Sequence, residues 1–585
     1  MADNGITFDR WVSDVDPSAR YPLYTRGNVG EVFPDPVFPF TYSAFMFSGA
    51  EQGWRDAFAR IGAFDRDEFR PENMDILGIA GGYCYLNVSV SRLFGERAPG
   101  MSWRDIDSFL FGAQPGMPDY EEQPGDVRAD LSEKVGAWMG FVLTAEELPE
   151  LVADADMTRE LRAARPDLSA MTTEELLDRT LTLYRTHFRH LFGQHLHTTY
   201  AAMVPVGILA AVTAAVGRPE LVTALMSGVG DVDSAAPSMA MWRLSRAVRA
   251  SKELTAAFDA GADGLVDRLA TSSSADAVAF GTEFDAFIYE YGSRGPNEWD
   301  VARPTWETRP ALALAAVDRM RLVGDAADPT GHQKELAAER DRAVTEMRAL
   351  LEAAGVDDAT KQQFEMGFSA AAAWLPGRER TKTNCIRFTQ EARMPMRELG
   401  RRLVASGDFE EVEDFSFLLA EEWPAFFADP GSLKATVAER KAQWAALAAC
   451  EPAFVFNGKP DFPAGWTRRD AIVYDVLKPG DVLQGIPGCL GSAEGIARVV
   501  LDSSDPTALG PGDVLVAPAT DPSWTPLFVP AAAVVVDVGA PLSHAVIVSR
   551  ELGIPCVISA TGATKRIPDG ARVRVDGTTG LVTVL

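Results

Sequence analysis

The periodicity of the chain changes once, near residues 456–482, and that change constrains the architecture more than any other feature. From about 52 to 450, apolar residues recur at helical spacing. "TTEELLDRTLTLYRTHFRHLFGQHL" (172–196) has Thr172 placed as a cap, and "KELAAERDRAVTEMRALLEAAG" (334–355) stops on Gly355. "DDATKQQFEMGFSAAAAWL" and "MRELGRRLVASG" continue the pattern, and no repeat of fixed period is present. "NGKPDFPAGW" and "LKPGDVLQGIPG" then break it. Beyond them come short apolar runs divided by turns: "EGIARVVLD", "GDVLVAPA", "AAAVVVDVG", "PCVIS", "ARVRVDG" and "LVTVL". "VDGTTG" before the last run has the chemistry of a hairpin turn. The spacing predicts a multidomain chain. A large, mainly α-helical body spans 1–457, with a subdomain break near 310. A connector able to pivot spans 458–484, and a compact α/β module spans 485–585.

Length agrees: 585 residues at about 150 per domain suggest roughly three or four units. The first fifty residues are rich in Pro, Phe and Tyr. Prolines at 34, 36 and 39 predict an extended aromatic segment packed on the body. A formal charge of −28 excludes nucleic acid and anionic membrane as partners, since both need a positive face. The start, "MADNGITFDRWVSDVD", has no basic stretch followed by an apolar one, so no secretory signal is read there. The most apolar stretch, "MVPVGILAAVTAAVG" (203–217), is 15 residues, shorter than a bilayer span, and reads as a buried helix. Cysteines 84, 385, 450, 489 and 556 are odd in number and scattered without a CxxC pair. That indicates neither a disulfide framework nor a zinc knuckle, and points to a reducing, cytoplasmic compartment.

Within the module, "GAPLSHAVIVSRELGIPCVIS" (539–559) follows a strand that reads as buried on both faces. Gly539 ends that strand, Ser543 is an N-cap, and a helix runs from His544 to about Leu552 with Gly553 as its stop. Val548 and Leu552 fall on one face and hold it to the sheet. His544 therefore sits in the first helical turn, where free N–H groups and the positive dipole end suit an attached phosphate. A neutral imidazole is nucleophilic near neutral pH without an added base. The alternative is a histidine that merely packs or caps.

This stretch resembles the swivelling phosphohistidine domain of the phosphoenolpyruvate-utilising enzymes. The family pattern is G-G-x-x-S-H-x-A-I-V-A-R-E-x-G-I-P-A-V. Gly539, Ser543, His544, Ile547, Val548, Arg550, Glu551, Gly553, Ile554 and Pro555 match it; Ala540, Ser549 and Cys556 depart from it. "GDVLVAPATDPSWTPLF" (512–528), with Thr520, and "RIPDGARVRVDGTTGLV" (566–582) also look like this domain. The resemblance implies that His544 takes up a phosphoryl group at one site and delivers it at another. Ser543, Gly539, Thr520 and Arg550 would support the phosphate at the helix tip.

The resemblance extends to what the chain lacks. Family members that use phosphoenolpyruvate carry a barrel after the histidine domain, and this sequence stops at Leu585. Members that use ATP carry an ATP-grasp domain. Neither a GxxxxGK[ST] loop nor a βαβ series precedes residue 456, and "NGKP" (457–460) reads as a turn. A donor must be positioned with Mg²⁺. The resemblance to phenylphosphate synthase, which looks like a split enzyme, implies a separate ATP-grasp-type subunit holding ATP and Mg²⁺. No cofactor is then bound permanently by this chain.

The body resembles the central substrate domain of rifampicin phosphotransferase and its relatives at "TRGNVGEVFPDPVFPFTYS" (25–43), "YGSRGPNEWD" (291–300) and "LPGRERTKTNCIRFTQEAR" (375–393), the last read as a helix start. An acceptor hydroxyl needs a base, and an incoming phosphoryl group needs cations. Arg294, Arg378, Arg380, Lys382 and Arg387 are the cation candidates; Glu298, Asp300 and Glu31 are the carboxylates; Asn28 is placed to orient a phosphate oxygen. The competing reading makes "RGPNEWD" a structural salt-bridge network and "RERTK" a solvated face. "THFRHLFGQHLHTTY" holds His187, His190, His195 and His197. It contains no Asp or Glu to complete a metal site, so no metal is assigned; His190 is taken as the acid/base candidate. Aromatic residues in 21–50 and 83–104 favour an apolar alcohol or phenol over a sugar as acceptor. The expected function is thus phosphoryl transfer from ATP, through His544, to an organic hydroxyl. The ester then loses phosphate as a net dehydration where the carbon skeleton permits. The alternatives are a phosphocarrier that passes phosphate to another protein, and a binding protein whose histidine domain is a relic.

Overall fold

Prolines 34 and 36 keep the early chain extended, but Pro39 sits at the first position of a helix, where its missing N–H is not needed. The expectation of an extended segment to residue 50 therefore fails at Pro39. A helix begins there and continues through a wide-turn stretch, Tyr42–Glu51, into Gln52–Ile61. The computed structural model describes residues 9–585 except 113–115, 230–232, 234–235, 262, 326–327, 462–465, 504–508 and 542. Strands β1 (Leu23–Thr25), β2 (Leu77–Ala80), β3 (Tyr83–Asn87) and β4 (Val455–Asn457) form an antiparallel sheet in the order β2-β3-β1-β4. This sheet ties the two ends of the body together and carries the turn that holds Asn28 and Glu31.

Two long helices make the body's spine. Helix α1 (Arg189–Ala215) continues the run from Thr173, giving an unbroken Thr173–Ala215 segment. The expectation of a short apolar piece at 203–217 is thus revised. By length and composition alone the segment could cross a membrane, but 67% of its most apolar window is buried inside the chain. Packed on α1 is α4 (Asp358–Ser406), 49 residues with Pro376 and Pro395 inside it. "LPGRERTK" is therefore mid-helix rather than a helix start. Packing on both sides holds the helix through Pro376, which withholds one hydrogen bond from the preceding turn.

Between these helices in sequence lie α2 (Ala236–Ala250) and α3 (Pro310–Arg321). Residues 240–287, Trp306 and 313–323 share a hydrophobic core with the C-terminal module, while Trp299, Val301 and Ala302 between them belong to the core of the rest of the body.

The module's sheet has eight strands: β5 (Val482–Gln484), β6 (Ile486–Cys489), β7 (Ser492–Val499), β8 (Val514–Ala517), β9 (Ala533–Val536), β10 (Cys556–Ile558), β11 (Arg572–Asp576) and β12 (Leu581–Val584). Their order is β5-β12-β11-β7-β8-β9-β10-β6, and β7 to β10 run parallel. Alternate side chains face opposite ways. Leu515, Ala517, Val534 and Val536 join the core shared with the body helices, while Val514, Val516, Ala533 and Val535 join a core with Val573, Val575 and Val582. Burial on both faces is why these runs show no polar alternation. The predicted turn "VDGTTG" joins β11 to β12, with Asp576 opposite Leu581.

The connector is shorter than its composition suggests. Gly458 N–H donates to Pro22 O at 2.8 Å, Leu477 N–H to Arg566 O at 2.8 Å, and Gly480 N–H to Val584 O at 2.8 Å. Prolines and glycines at 479–488 thus turn edge strands rather than link domains. The connector between these anchors is 459–476, and within it Thr467–Arg468 pairs with Cys450–Glu451.

Beside the shared core, the module meets the body at a close glycine contact. Gly112 has φ +67°, and a Cβ there would lie 2.5 Å from Gly539 O and 2.8 Å from Ser559 Oγ. Gly112→Ala should weaken docking by about 1–3 kcal/mol, read as faster proteolytic cleavage of the 459–476 connector. Cleavage at the wild-type rate would show that the approach is not needed.

Candidate functional site

Helix α5 (His544–Leu552) begins at Ser543 (φ −70°, ψ 159°) and ends on Gly553 (φ +64°), as its sequence predicts. Ser543 does not cap it through its side chain. Its Oγ is buried with no partner among the described residues, which leaves the first-turn N–H groups to other acceptors. Arg550 donates to Pro541 O at 2.8 Å and so fixes the loop before the tip. Gly539 O accepts from Ser559 Oγ at 2.7 Å. Both shape the tip rather than face the cavity beside it.

The His544 imidazole is 5% exposed. Its Nδ1 lies 3.1 Å from Thr520 Oγ1 and its Nε2 lies 3.1 Å from Thr525 Oγ1. In a neutral ring one nitrogen donates and the other accepts, and two hydroxyls satisfy both. Phe528 meets the ring edge-on at 5.9 Å. Burial holds its pKa well below the usual histidine value, and Lys382, Arg294 and Arg378 push it the same way. The ring is therefore neutral and nucleophilic at pH 7.

His544, Thr520 and Asp521 of the module form one end of a cavity whose remaining walls belong to the body. Its volume open to the centres of water molecules is about 80 Å³. Arg378, Glu379 and Lys382 of α4, His195 and Thr199 of α1, and Asn28 and Glu31 supply polar groups. Trp54, Tyr200, Trp299, Leu86, Leu110 and Val32 supply the apolar wall. Arg378 and Lys382 are four apart on one helix and so share a face. Asn28 adopts φ +70° before the turn Val29–Val32, which carries Glu31 into the cavity. Burial raises the Glu31 carboxyl to about 7 against the pull of Lys382 and Arg378. Asp521 rises to about 6, first through burial and then through the neighbouring Glu298. It accepts from Ser523 N at 2.8 Å, Ser523 Oγ at 2.5 Å and Asn297 N at 3.2 Å.

Arg294 stands close enough to act on His544 but is itself bound. It pairs with Glu298 at 2.8 Å and donates to Thr383 Oγ1 at 2.6 Å, with the pair 2% and 0% exposed. The salt-bridge reading of "RGPNEWD" therefore holds, and the network lies directly behind the site.

Four candidates stand elsewhere. Asp300 accepts from Thr41 Oγ1 at 2.7 Å and Ala302 N at 3.0 Å, and so braces the 38–41 turn. Arg387 pairs with Glu290, and neither it nor Arg380 lines the cavity. His190 is 60% exposed in its side chain and bonded to Asp154 Oδ1 at 2.8 Å; this bond raises its pKa. The cavity histidine is His195, five residues on and on a different side of α1. Asp521, Glu379 and Thr525 were also not singled out from sequence. Glu379 and Asp521 adjoin quoted motif residues, which was the available signal.

Asp300→Ala should lower the unfolding free energy by about 2–5 kcal/mol in urea titration, because buried donors lose their acceptor. An unchanged midpoint would refute this structural role.

Two family models match the chain. One, for the fourth domain of rifampicin phosphotransferase, covers residues 194–379; the other, for the mobile domain of PEP-utilising enzymes, covers residues 509–580. Rifampicin phosphotransferase of Streptomyces sviceus is 31% identical over 331 residues, 55% of this chain and 36% of that protein. That of Bacillus subtilis is 26% identical over 328 residues, with the same shares. An uncharacterized protein of Mycobacterium tuberculosis is 40% identical over 215 residues, 37% of this chain and 24% of its own length. The matched region thus spans about a quarter to a third of these relatives. The first model runs from Gln194, inside α1, to Glu379, and the second covers Thr520, Thr525 and His544. The chain joins a helical stretch, 194–379, similar to the fourth domain of rifampicin phosphotransferase to an α/β module similar over 509–580 to the mobile domain of the PEP-utilising enzymes.

Proposed function

We propose that this chain is a phosphotransferase subunit that carries a phosphoryl group on His544 and delivers it to an organic hydroxyl bound in the body. The observation that carries the reading is the neutral His544 ring, at a helix N-terminus, forming one wall of a cavity that also contains Lys382 and Arg378. A phosphoryl group on that ring would meet first-turn N–H groups and two cations, the arrangement that stabilises charge during in-line transfer. The hydroxyl oxygen bonds to phosphorus as the P–N bond breaks and its electron pair returns to the imidazole.

The acceptor is a compact alcohol or phenol. Trp54, Tyr200, Trp299 and leucines would hold its apolar part, and the polar end of the cavity its hydroxyl. The donor is ATP with Mg²⁺, held by an ATP-grasp-type partner, and the module travels between the two stations about the connector. Where the acceptor's skeleton permits, the ester then eliminates phosphate, a net dehydration. The setting is cytoplasmic.

Incubation with [γ-³²P]ATP and cell extract should label the wild type with acid-labile, base-stable phosphate and should not label His544→Ala. Label persisting in that variant would end this reading. Lys382→Met should still be labelled but should pass phosphate to an acceptor about 10²- to 10³-fold more slowly. Labelling with no acceptor consumed would favour a carrier that serves another protein.

A further inference from the structure

The cavity beside His544 contains a second imidazole whose hydrogen bonding fixes which nitrogen is basic. His195 Nδ1 lies 3.1 Å from Thr381 Oγ1, and that hydroxyl gives its own hydrogen to Arg378 O at 2.9 Å. A Thr381 hydroxyl that donates to this carbonyl accepts from the ring, which puts the ring proton on Nδ1 and the lone pair on Nε2. Trp299 and Phe192 flank the ring at centroid distances of 6.0 and 6.4 Å and limit its tilt.

We propose that His195 Nε2 is the general base that takes the proton of the acceptor hydroxyl when phosphate leaves His544. This rests on the phosphotransfer reading above and assigns a role within it. The step balances. The acceptor O–H proton passes to His195 Nε2, its oxygen bonds to phosphorus, and the P–N electron pair returns to His544. His195 then gives the proton to solvent when the module leaves.

The rival base is Glu31, which lines the same cavity. Around both groups stand Arg378, Lys382, Glu379, Asp521 and His544. Unloaded, burial and then the cations Arg378 and Lys382 hold His195 neutral, while burial raises Glu31 to about 7. A phosphoryl dianion on His544 offsets the cations and raises the proton affinity of both groups. Glu31 then becomes protonated at pH 7 and stops being a base. His195, starting far below neutrality, moves toward the range where a base works best. Loading the carrier thus switches the acceptor base on.

The test uses the full chain, loaded at His544 with potassium phosphoramidate, and phenol as the acceptor probe. Phenyl phosphate is followed by ³¹P NMR from pH 5 to 9. His195→Asn keeps a donor toward Thr381 and removes Nε2. It should load normally and quench Trp fluorescence with phenol as the wild type does, yet transfer about 10²- to 10⁴-fold more slowly at pH 7. It should also lose the acidic limb of the wild-type pH profile. Transfer by His195→Asn at the wild-type rate, or the same loss in Glu31→Gln with His195→Asn unaffected, would overturn the assignment. A loaded wild type that gives nothing to phenol would instead overturn the acceptor reading, and the role of His195 with it.

Discussion

The arrangement around His544 is governed by a charge problem. An imidazole, buried and uncharged between two threonine hydroxyls, faces the cations of α4 and the Arg294 side chain. Buried cations need counter-charge. Arg294 has Glu298 and Arg378 has Glu379 at 2.6 Å, so the resting site is held by pairs drawn from the body itself. A protonated His544 would be repelled there, whereas a phosphorylated one would be attracted. The same electrostatics that keeps the ring neutral would favour a phosphorylated form in the docked position.

Docking depends on shape as much as on charge. The sheet of the module presents one set of alternating side chains to its own second core and the other to helices of the body. The backbone at Gly112 comes within a side chain's width of the strand end at Gly539. His544 enters the cavity because α5 leaves the sheet at that strand end, and because Arg550 holds the intervening loop through Pro541. The placement of one ring is therefore the sum of a strand stop, a helix start and an interdomain backbone contact.

Local chemistry made much of this legible in the sequence. The start and stop of α5 depend on Ser543 and Gly553 within a dozen residues, and the central strands announce themselves as apolar runs. Arg378 and Lys382 share a helical face by spacing alone. What escaped depends on neighbours. His190 and His195 lie on the same helix but five residues apart, so they point in different directions, and only the packing of α1 against α4 decides which one meets the cavity. Proline and glycine at 479–488 suggested a tether because a sequence does not show that edge strands will pair on only one side. Asp300 looked catalytic beside Arg294 and Glu298, yet its acceptors are taken by the 38–41 turn. The core that residues 240–287 and 313–323 share with the module was hidden because such cores form between segments two hundred residues apart.

That shared core has a further consequence. Leu527 and Phe528, on the short helix Thr525–Phe528, pack with α2 and α3 and are almost fully covered. Each such side chain stabilises burial by about 1.5–3 kcal/mol. A module that lifts away from the body must either take those helices along or bare a greasy heel to water. In the second case, any surface that received it would have to provide an oily socket of matching shape, and its recognition would be hydrophobic before it is ionic.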